Sequence, residues 1–129
     1  MKKYKTEQEI FWAGQFGDEY IKRNNNETLI ASNIAMFSKI LDGINYVESV
    51  IEFGANIGLN LIAVKSLLPK IELSTIEINQ KAVLELQQLG EKINIYHKSI
   101  LDFMPEYKRD FTINFIRQSK RYICNCRIL

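Results

Sequence analysis

Residues 50–58 constrain the fold more than any other stretch of the chain. A mostly apolar run, residues 50–53, leads directly into Gly54, and a second glycine follows four positions later, at Gly58. Because glycine has no Cβ, it allows a sharp backbone bend and a close approach to a ligand. A short strand that bends in this way and continues into a helix is typical of α/β sheets, which bind ligands at the carboxyl ends of their strands. We therefore expect a binding site at this bend.

Two helices are predicted to alternate with the strands. Apolar residues keep helical spacing from Ile57 until Pro69, which ends the first of these helices. Asn79 is a suitable N-cap for the second helix, and Gly90 stands where the C′ residue of that helix is expected. Each helix follows a strand after a short connection.

The strands predict the fold class. Residues 71–77 and 93–96 are predicted strands, and residues 111–116 are a candidate fourth strand. Strands and helices that alternate with short connections form parallel sheets with right-handed crossovers. We therefore expect an α/β fold with a Rossmann-like, doubly wound, mostly parallel sheet that is incomplete on its C-terminal side.

Aromatic residues dominate the first part of the chain. Trp12, Phe16 and Tyr20 are spaced by four and share one helical face, which we expect to pack on the sheet as part of the core. Gly14 and Gly17 argue against one continuous helix.

A polar break separates this first part from a second predicted helix. Residues 24–26 are all asparagine and provide an N-cap. Ile30, Ile34 and Leu41 then lie on one helical face, and the helix is expected to end at residues 42–43.

Charge and composition set the last residues apart. Residues 1–107 carry 11 basic and 14 acidic side chains, whereas residues 108–129 carry six basic side chains and one acidic side chain. Cys124 and Cys126 both lie in this stretch, and no glycine occurs after Gly90. The predicted units are an N-terminal helical arm (residues 1–47), an α/β unit (residues 48–116) and an atypical basic tail (residues 117–129).

Composition excludes several classes of protein. A chain of 129 residues that is 47% hydrophobic and 25% charged is typical of one globular domain. No apolar run approaches the roughly 18–20 residues that cross a bilayer. Glu7 and Glu9 interrupt the apolar region that a signal peptide requires, so we expect a cytoplasmic protein. Two cysteines and one histidine cannot form a disulfide framework or an all-Cys/His zinc site. The basic tail lacks the apolar face and the aromatic interleaving that a nucleic-acid or lipid site requires.

The spacing of the glycines narrows the choice of ligand. A dinucleotide fingerprint that starts at Gly54 requires glycine at the positions of Asn56 and Leu59, so a nicotinamide-binding domain is the less favoured alternative. The methyltransferase pattern has an acid two residues before the first of three alternating glycines. Glu52, Gly54 and Gly58 match that pattern, and Asn56 is a tolerable substitute where φ is positive. The carboxylate of Glu52 suits a cationic methionine group.

A second acid stands where ribose hydroxyls are usually bound. Glu77 ends the second predicted strand, 23 residues after Gly54. One carboxylate at this place accepts hydrogen bonds from both hydroxyls of a ribose. The third strand ends near Ser99 and Ile100, where a small polar and an aliphatic residue are expected to flank an adenine.

With these motifs the chain resembles the class I, Rossmann-like S-adenosylmethionine-dependent methyltransferases. More narrowly, it resembles the methylases associated with pseudaminic acid biosynthesis. The resemblance covers about residues 6–111 and rests on the arm TEQEIFWAGQFGDEYIKRN, the loop EFGANIGLN, the strand end IEIN and the segment SILDF. It implies methyl transfer from S-adenosylmethionine to a small-molecule acceptor such as a nucleotide-activated or glycan sugar, without nucleic acid. The residues it implies for cofactor binding are Glu52, Gly54, Ala55, Asn56, Gly58, Glu77, Ile78, Ser99 and Ile100.

The resemblance ends after Phe111. Members of the family continue through a glycine-containing, histidine-bearing segment and further strands, whereas this chain enters the basic tail. We therefore expect a truncated product, and we assign no catalytic residue and no metal ligand. The alternative to an active methyltransferase is a non-catalytic remnant that at most binds S-adenosylmethionine.

Overall fold

The computed structural model describes residues 4–23, 27–42, 47–90, 92–103, 111–118 and 121–128. The predicted asparagine break at 24–26 and the glycine at position 43 lie outside these residues, as do the side chains of residues 111–128. Among the described helices, none is long and apolar enough to span a membrane. The elements are α1 (Glu7–Ala13), α2 (Gln15–Arg23), α3 (Glu27–Leu41), β1 (Ser49–Phe53), α4 (Leu59–Leu67), β2 (Glu72–Glu77), α5 (Gln80–Gln88), β3 (Ile93–His97), a short 3-10 helix (Ile100–Asp102), β4 (Phe111–Gln118) and β5 (Arg121–Ile128).

The five strands form one sheet in the order β3-β2-β1-β4-β5. The first four strands are parallel, and β5 runs antiparallel to β4. This arrangement confirms the predicted α/β class with its mostly parallel Rossmann-like sheet. Because β2 and β4 flank β1, the bend that follows β1 lies at the centre of the carboxyl edge of the sheet.

β5 is not predicted by the sequence pattern, which marks residues 117–129 only as a basic tail. In the structure, Phe111 pairs with Ile128 and Gln118 pairs with Arg121, so the end of the chain folds back along β4. The stretch from residue 122 to 128 contains tyrosine and two isoleucines, which favour strands. Composition alone therefore does not predict β5.

The main core lies between the sheet and the helices α3, α4 and α5. Val50 and Leu73 of the sheet are each 1% exposed, and Leu61, Val64 and Leu86 of the helices are 0–1% exposed. Alternate residues of a strand point to one face of the sheet, so Glu52 and Thr75 point to the same helix-covered face as Val50 and Leu73. The acid at the end of β1 is thus directed into the core.

The helix boundaries agree with the sequence signals. Oδ1 of Asn79 accepts a hydrogen bond of 2.9 Å from the backbone N–H of Ala82 at the start of α5, which confirms the predicted N-cap. Gly90 has a φ of +71° just after α5, and α4 ends at Leu67, two residues before Pro69.

The aromatic residues of the first helices form a cluster of their own. Gly14 separates α1 from α2, as its helix-breaking tendency predicts. The ring centroids of Trp12 and Phe16 lie 5.4 Å apart, and those of Trp12 and Tyr20 lie 5.5 Å apart. Trp12 is nevertheless 39% exposed and Phe11 is 46% exposed, so the expected core stripe against the sheet is wrong for Trp12. The interruption at Gly14 lets these rings pack on one another instead.

Candidate functional site

The bend after β1 is built from three left-handed backbone positions. Gly54, Asn56 and Gly58 have φ values of +79°, +54° and +83°. Residues with a Cβ rarely adopt such angles, and asparagine tolerates them better than most. The three alternating positions at which the sequence pattern expects glycine are therefore the positions with a left-handed backbone. The N–H of Gly54 also donates to the carbonyl of Ile76, at 2.8 Å, which ties the bend to β2.

The carboxylate of Glu77 lies directly against this bend. Its Oε2 accepts a hydrogen bond of 2.7 Å from the backbone N–H of Asn56, and its Oε1 accepts from the N–H groups of Ile78 and Asn79, at 2.8 and 2.9 Å. The side chain is 6% exposed, and burial raises its pKa, although these amides and the neighbouring His97 oppose that shift. A carboxylate has about four acceptor positions, so three amides leave capacity for a ligand hydroxyl.

The two glycines of the bend face different surroundings. A Cβ built on Gly54 would meet no atom within 4 Å, so open space lies above this residue. A Cβ on Gly58, the residue before α4, would come within 2.7 Å of Cδ2 of Leu86 on α5. The backbone at Gly58 therefore lies against a side chain of α5. Ala55, between them, is buried in the core.

The carboxylate of Glu52 lies beneath the bend. It is 1% exposed, and its Oε1 accepts a hydrogen bond of 2.6 Å from Nδ2 of Asn60 on α4. Oδ1 of Asn60 in turn accepts from Nδ2 of Asn33 on α3, at 2.9 Å. Neither asparagine is predicted by the glycine pattern. The signal that could reveal Asn60 is a lone polar residue in the apolar start of α4, next to a buried acid.

Oδ1 of Asn56 is a further polar atom of the bend. It is buried, and it accepts no hydrogen bond from the residues that the structure describes. Buried acceptors are rarely left without a donor, so we expect a hydrogen-bond donor for this atom. It belongs to the same residue whose N–H contacts Glu77, and a ligand with hydroxyl or amino hydrogens would supply that donor.

The remaining predicted site residues lie at the ends of β2 and β3. Glu77 and His97 are paired in the sheet, and a ring nitrogen of His97 is 3.2 Å from the carbonyl of Ile78. Oγ of Ser99 accepts a hydrogen bond of 3.1 Å from the N–H of Leu101 and so caps the short 3-10 helix. Ile100 is 46% exposed. The structure thus brings Ile78 and Ser99 to adjacent strand ends and leaves Ile100 at the surface.

The α1–α2 segment, residues 5–23, contacts the loop after β2 through Asn79. Nδ2 of Asn79 donates to the carbonyl of Trp12, at 3.0 Å, and to Oδ1 of Asp18, at 2.9 Å. Oδ2 of Asp18 forms a 2.8 Å ion pair with Lys81. This ammonium and the Asn79 amide together hold the pKa of Asp18 below its usual value.

The same segment also contacts the loop after β3. The carboxylate of Glu9 accepts a hydrogen bond of 2.8 Å from the backbone N–H of Thr6. The nearby Ser99 hydroxyl and this N–H keep the pKa of Glu9 low. Lys5 forms an ion pair with Asp102. None of these contacts is evident from the sequence, because they join residues that lie far apart along the chain.

Two other clefts lie at the opposite end of the sheet. Their volumes are about 490 and 520 Å³, and both are lined by Glu48, Lys70 and Ile71. Ligands of parallel sheets bind at the carboxyl ends of strands, so these clefts are not the candidate site. Within the described parts of the chain, no group of three His, Cys, Asp or Glu side chains could hold a metal ion.

Comparison with known proteins gives no match to a protein-family model and none to a curated protein. Solved structures do match. The plantazolicin methyltransferase BpumL, in complex with a monoazolic desmethylPZN analog and SAH, aligns with a TM-score of 0.62 and 18% identity, over 84% of this chain and 56% of that chain. BpumL in complex with SAH aligns with a TM-score of 0.63 and 17% identity, over 84% and 55%. The methyltransferase BamL, in complex with a triazolic analog and SAH, gives 0.59 and 15%, over 84% and 54%.

These matches identify the fold. The chain has the Rossmann-like fold of the methyltransferases it aligns with, and it spans about half the length of those proteins. At such low sequence identity, a shared fold does not show that this chain has the substrate or the activity of those proteins.

Proposed function

We propose that this chain binds S-adenosylmethionine at the carboxyl ends of β1, β2 and β3 and belongs to an S-adenosylmethionine-dependent methyltransferase. The observation that carries the proposal is the hydrogen bond between the N–H of Asn56 and the carboxylate of Glu77, at a bend of three left-handed residues. An adenosyl group requires a carboxylate that accepts hydrogen bonds from its ribose, next to a stretch of backbone that no side chain covers. The complexes of BpumL and BamL with SAH support the choice of ligand.

The described residues fit this cofactor in complementary ways. The open space above Gly54 admits the ligand next to the backbone. Glu77 and Oδ1 of Asn56 are acceptors for the ribose hydroxyls, and Ile78 and Ser99 flank the adenine. When bound, S-adenosylmethionine supplies a methyl group on a positively charged sulfur.

Glu52 has a different role from Glu77 in this proposal. Since its carboxylate is buried under the bend and bonded to Asn60, it favours a cation above it through its field and through the position it gives to the loop. Ala55, Gly58 and Ile100 contribute by shape: the first two close the inner side of the bend, and the third provides an aliphatic surface.

The acceptor is proposed on the sequence resemblance alone. The arm and the glycine loop resemble the methylases associated with pseudaminic acid biosynthesis, so we propose a cytoplasmic enzyme that methylates a nucleotide-activated or glycan sugar. Methyl transfer requires the acceptor atom in line with the methyl–sulfur bond, at about 3–3.5 Å. Because this chain spans about half the length of the structures it matches, the acceptor site is assigned to no described residue.

Isothermal titration calorimetry with S-adenosylhomocysteine tests the proposal. We expect micromolar binding by the wild-type chain and loss of at least tenfold in affinity for Glu77→Ala. Glu72→Ala is the matched control, because Glu72 lies at the other end of β2 and is exposed. Absence of binding by the folded wild-type chain would refute the proposal, and binding of a nicotinamide dinucleotide in its place would assign a different cofactor. Binding without methyl transfer to any sugar acceptor would refute the proposed acceptor class and leave the binding of the cofactor as the only supported activity.

A further inference from the structure

We propose that Asn79 is a positioning residue that couples the α1–α2 segment to the adenosyl site. This inference rests on the proposed function, because it assigns a role to a residue next to the ribose carboxylate. Asn79 is 3% exposed and was expected only to cap α5. Its contacts extend well beyond the cap.

Asn79 forms hydrogen bonds in three directions. Its backbone N–H donates to Oε1 of Glu77 at 2.9 Å, and its Oδ1 accepts from Ala82 at 2.9 Å. Both hydrogens of its Nδ2 have acceptors, the carbonyl of Trp12 and Oδ1 of Asp18, at 3.0 and 2.9 Å. A helix cap requires only the oxygen, which serine or aspartate also provides. The amide nitrogen is the part of Asn79 that holds the α1–α2 segment.

Gly17 makes this contact possible. A Cβ on Gly17 would lie 2.8 Å from Nδ2 of Asn79 and 1.9 Å from the carbonyl oxygen of Trp12. α2 therefore approaches Asn79 more closely than any residue with a side chain would allow. Such close packing excludes water from the hydrogen bonds of Asn79, which strengthens them.

The other polar contacts of the α1–α2 segment reach the same part of the molecule. Lys5 forms an ion pair with Asp102, and Glu9 lies near Ser99, both just after β3. Asp18 contacts Lys81 just after β2. The segment is therefore held by the two loops that carry the proposed adenine-flanking residues. If it is displaced, those loops lose partners, and the amides that orient Glu77 lose their support.

Coupling of this kind has to act in both directions. If docking of the α1–α2 segment favours adenosyl binding, then ligand binding favours docking by the same factor. The ligand should therefore slow hydrogen exchange in residues 7–23, even though the proposed contacts to the ligand lie in the loops after β1, β2 and β3. A merely structural role for Asn79 does not predict this effect.

The test compares Asn79→Ser with the wild-type chain. Serine keeps the capping oxygen and removes the amide donor, whereas Asn94→Ser is the same substitution at an exposed position of β3. We measure amide hydrogen exchange with and without S-adenosylhomocysteine, and the Kd by calorimetry. Asn79→Ser removes the two hydrogen bonds of Nδ2, to Trp12 and Asp18. We expect this loss to weaken binding of S-adenosylhomocysteine roughly tenfold and to speed amide exchange in residues 7–23. Asn94→Ser should change neither quantity.

Several outcomes would overturn the inference. A Kd within twofold of the wild-type value, together with faster exchange in residues 7–23, would mean that the segment only packs on the loop. Unchanged exchange would mean that Asn79 does not anchor it. If the wild-type chain binds no S-adenosylhomocysteine, the proposed function fails, and with it the coupling, while the exchange data still decide whether Asn79 anchors the segment. Asp18→Ala leaves Asn79 and its cap intact and should weaken binding severalfold, so it replaces Asn79→Ser if that variant does not fold.

Discussion

The backbone N–H of Asn56 lies 2.7 Å from Oε2 of Glu77, and this one hydrogen bond joins the glycine bend to the neighbouring strand. The contact makes the carboxylate part of the loop structure as well as a candidate ligand for ribose. A substitution of Glu77 should therefore affect both the stability of the bend and the binding of an adenosyl compound.

The first prediction concerns the pH dependence of stability at Glu77. Burial raises the pKa of this carboxyl above its ordinary value of 4.5. Its contribution to stability is therefore fully present below pH 4.5 and is lost as the pH rises through the raised pKa. Urea unfolding of the wild-type chain and of Glu77→Gln should give a difference in unfolding free energy that favours the wild type more at pH 4 than at pH 7. A difference that grows towards pH 7 would contradict the prediction.

The second prediction concerns the buried asparagine below the bend. Asn60→Ala removes the donor that lies 2.6 Å from Oε1 of Glu52 in the core. A buried acceptor left without its donor costs about 1–3 kcal/mol, so we expect a loss of that size in the free energy of unfolding. Asn33→Ala, which removes only the outer hydrogen bond of the pair, should cost about 1 kcal/mol or less. Equal losses in the two variants, measured by urea denaturation, would argue against a special role for Asn60.

The third prediction concerns the close approach at Gly17. An alanine here places its Cβ 1.9 Å from the carbonyl oxygen of Trp12, a backbone atom that cannot rotate away. We expect a loss of about 1–3 kcal/mol, the usual cost of overpacking. Gly14→Ala is the milder comparison, because a Cβ at position 14 would lie 2.9 Å from its nearest neighbour, the carbonyl oxygen of Ile10. Trp12 is the only tryptophan of the chain, so its fluorescence reports on the α1–α2 segment. Identical unfolding curves for Gly17→Ala and the wild type would refute the prediction.

The fourth prediction concerns release of the α1–α2 segment by acid. Ser99 lowers the pKa of Glu9, and Lys81 and Asn79 lower the pKa of Asp18. These carboxylates contribute stability above their ordinary values of 4.5 and 3.8, and the contribution is lost as the pH falls through the lowered values. Trp12 emission should therefore change below about pH 4, ahead of the far-UV circular dichroism signal. In Asp18→Asn this early change should be smaller. Simultaneous loss of both signals in the wild type would contradict the prediction.

Much of the fold could be predicted from the sequence because its signals are local. Gly54, Pro69 and Gly90 mark ends of elements through their own backbone preferences, and Asn79 caps α5 with its own side chain. The periods of the apolar residues then distinguish strands from helices. β5 is not predicted because charge is the most evident feature of residues 117–129, although tyrosine and isoleucine favour a strand.

The candidate site was predicted less completely, since its contacts are not local. The positions of Gly54, Asn56 and Glu77 follow from the spacing of motifs, and the structure brings them together. Asn60 was missed because a polar residue early in a helix usually faces solvent. The second function of Asn79 was missed because its partner Asp18 lies 61 positions away, on a segment whose path no local pattern specifies.

The long reach of these contacts has a kinetic consequence. Lys5 and Asp102 are 97 positions apart, and Trp12 and Asn79 are 67 positions apart. Closing such large loops lowers the entropy of the chain before the new contacts can stabilise it. During refolding, tryptophan emission should therefore reach its native value after the secondary structure has formed. Residues 5–18 are synthesised before the residues they contact near positions 79 and 102, so they can reach their final positions only after those residues have left the ribosome.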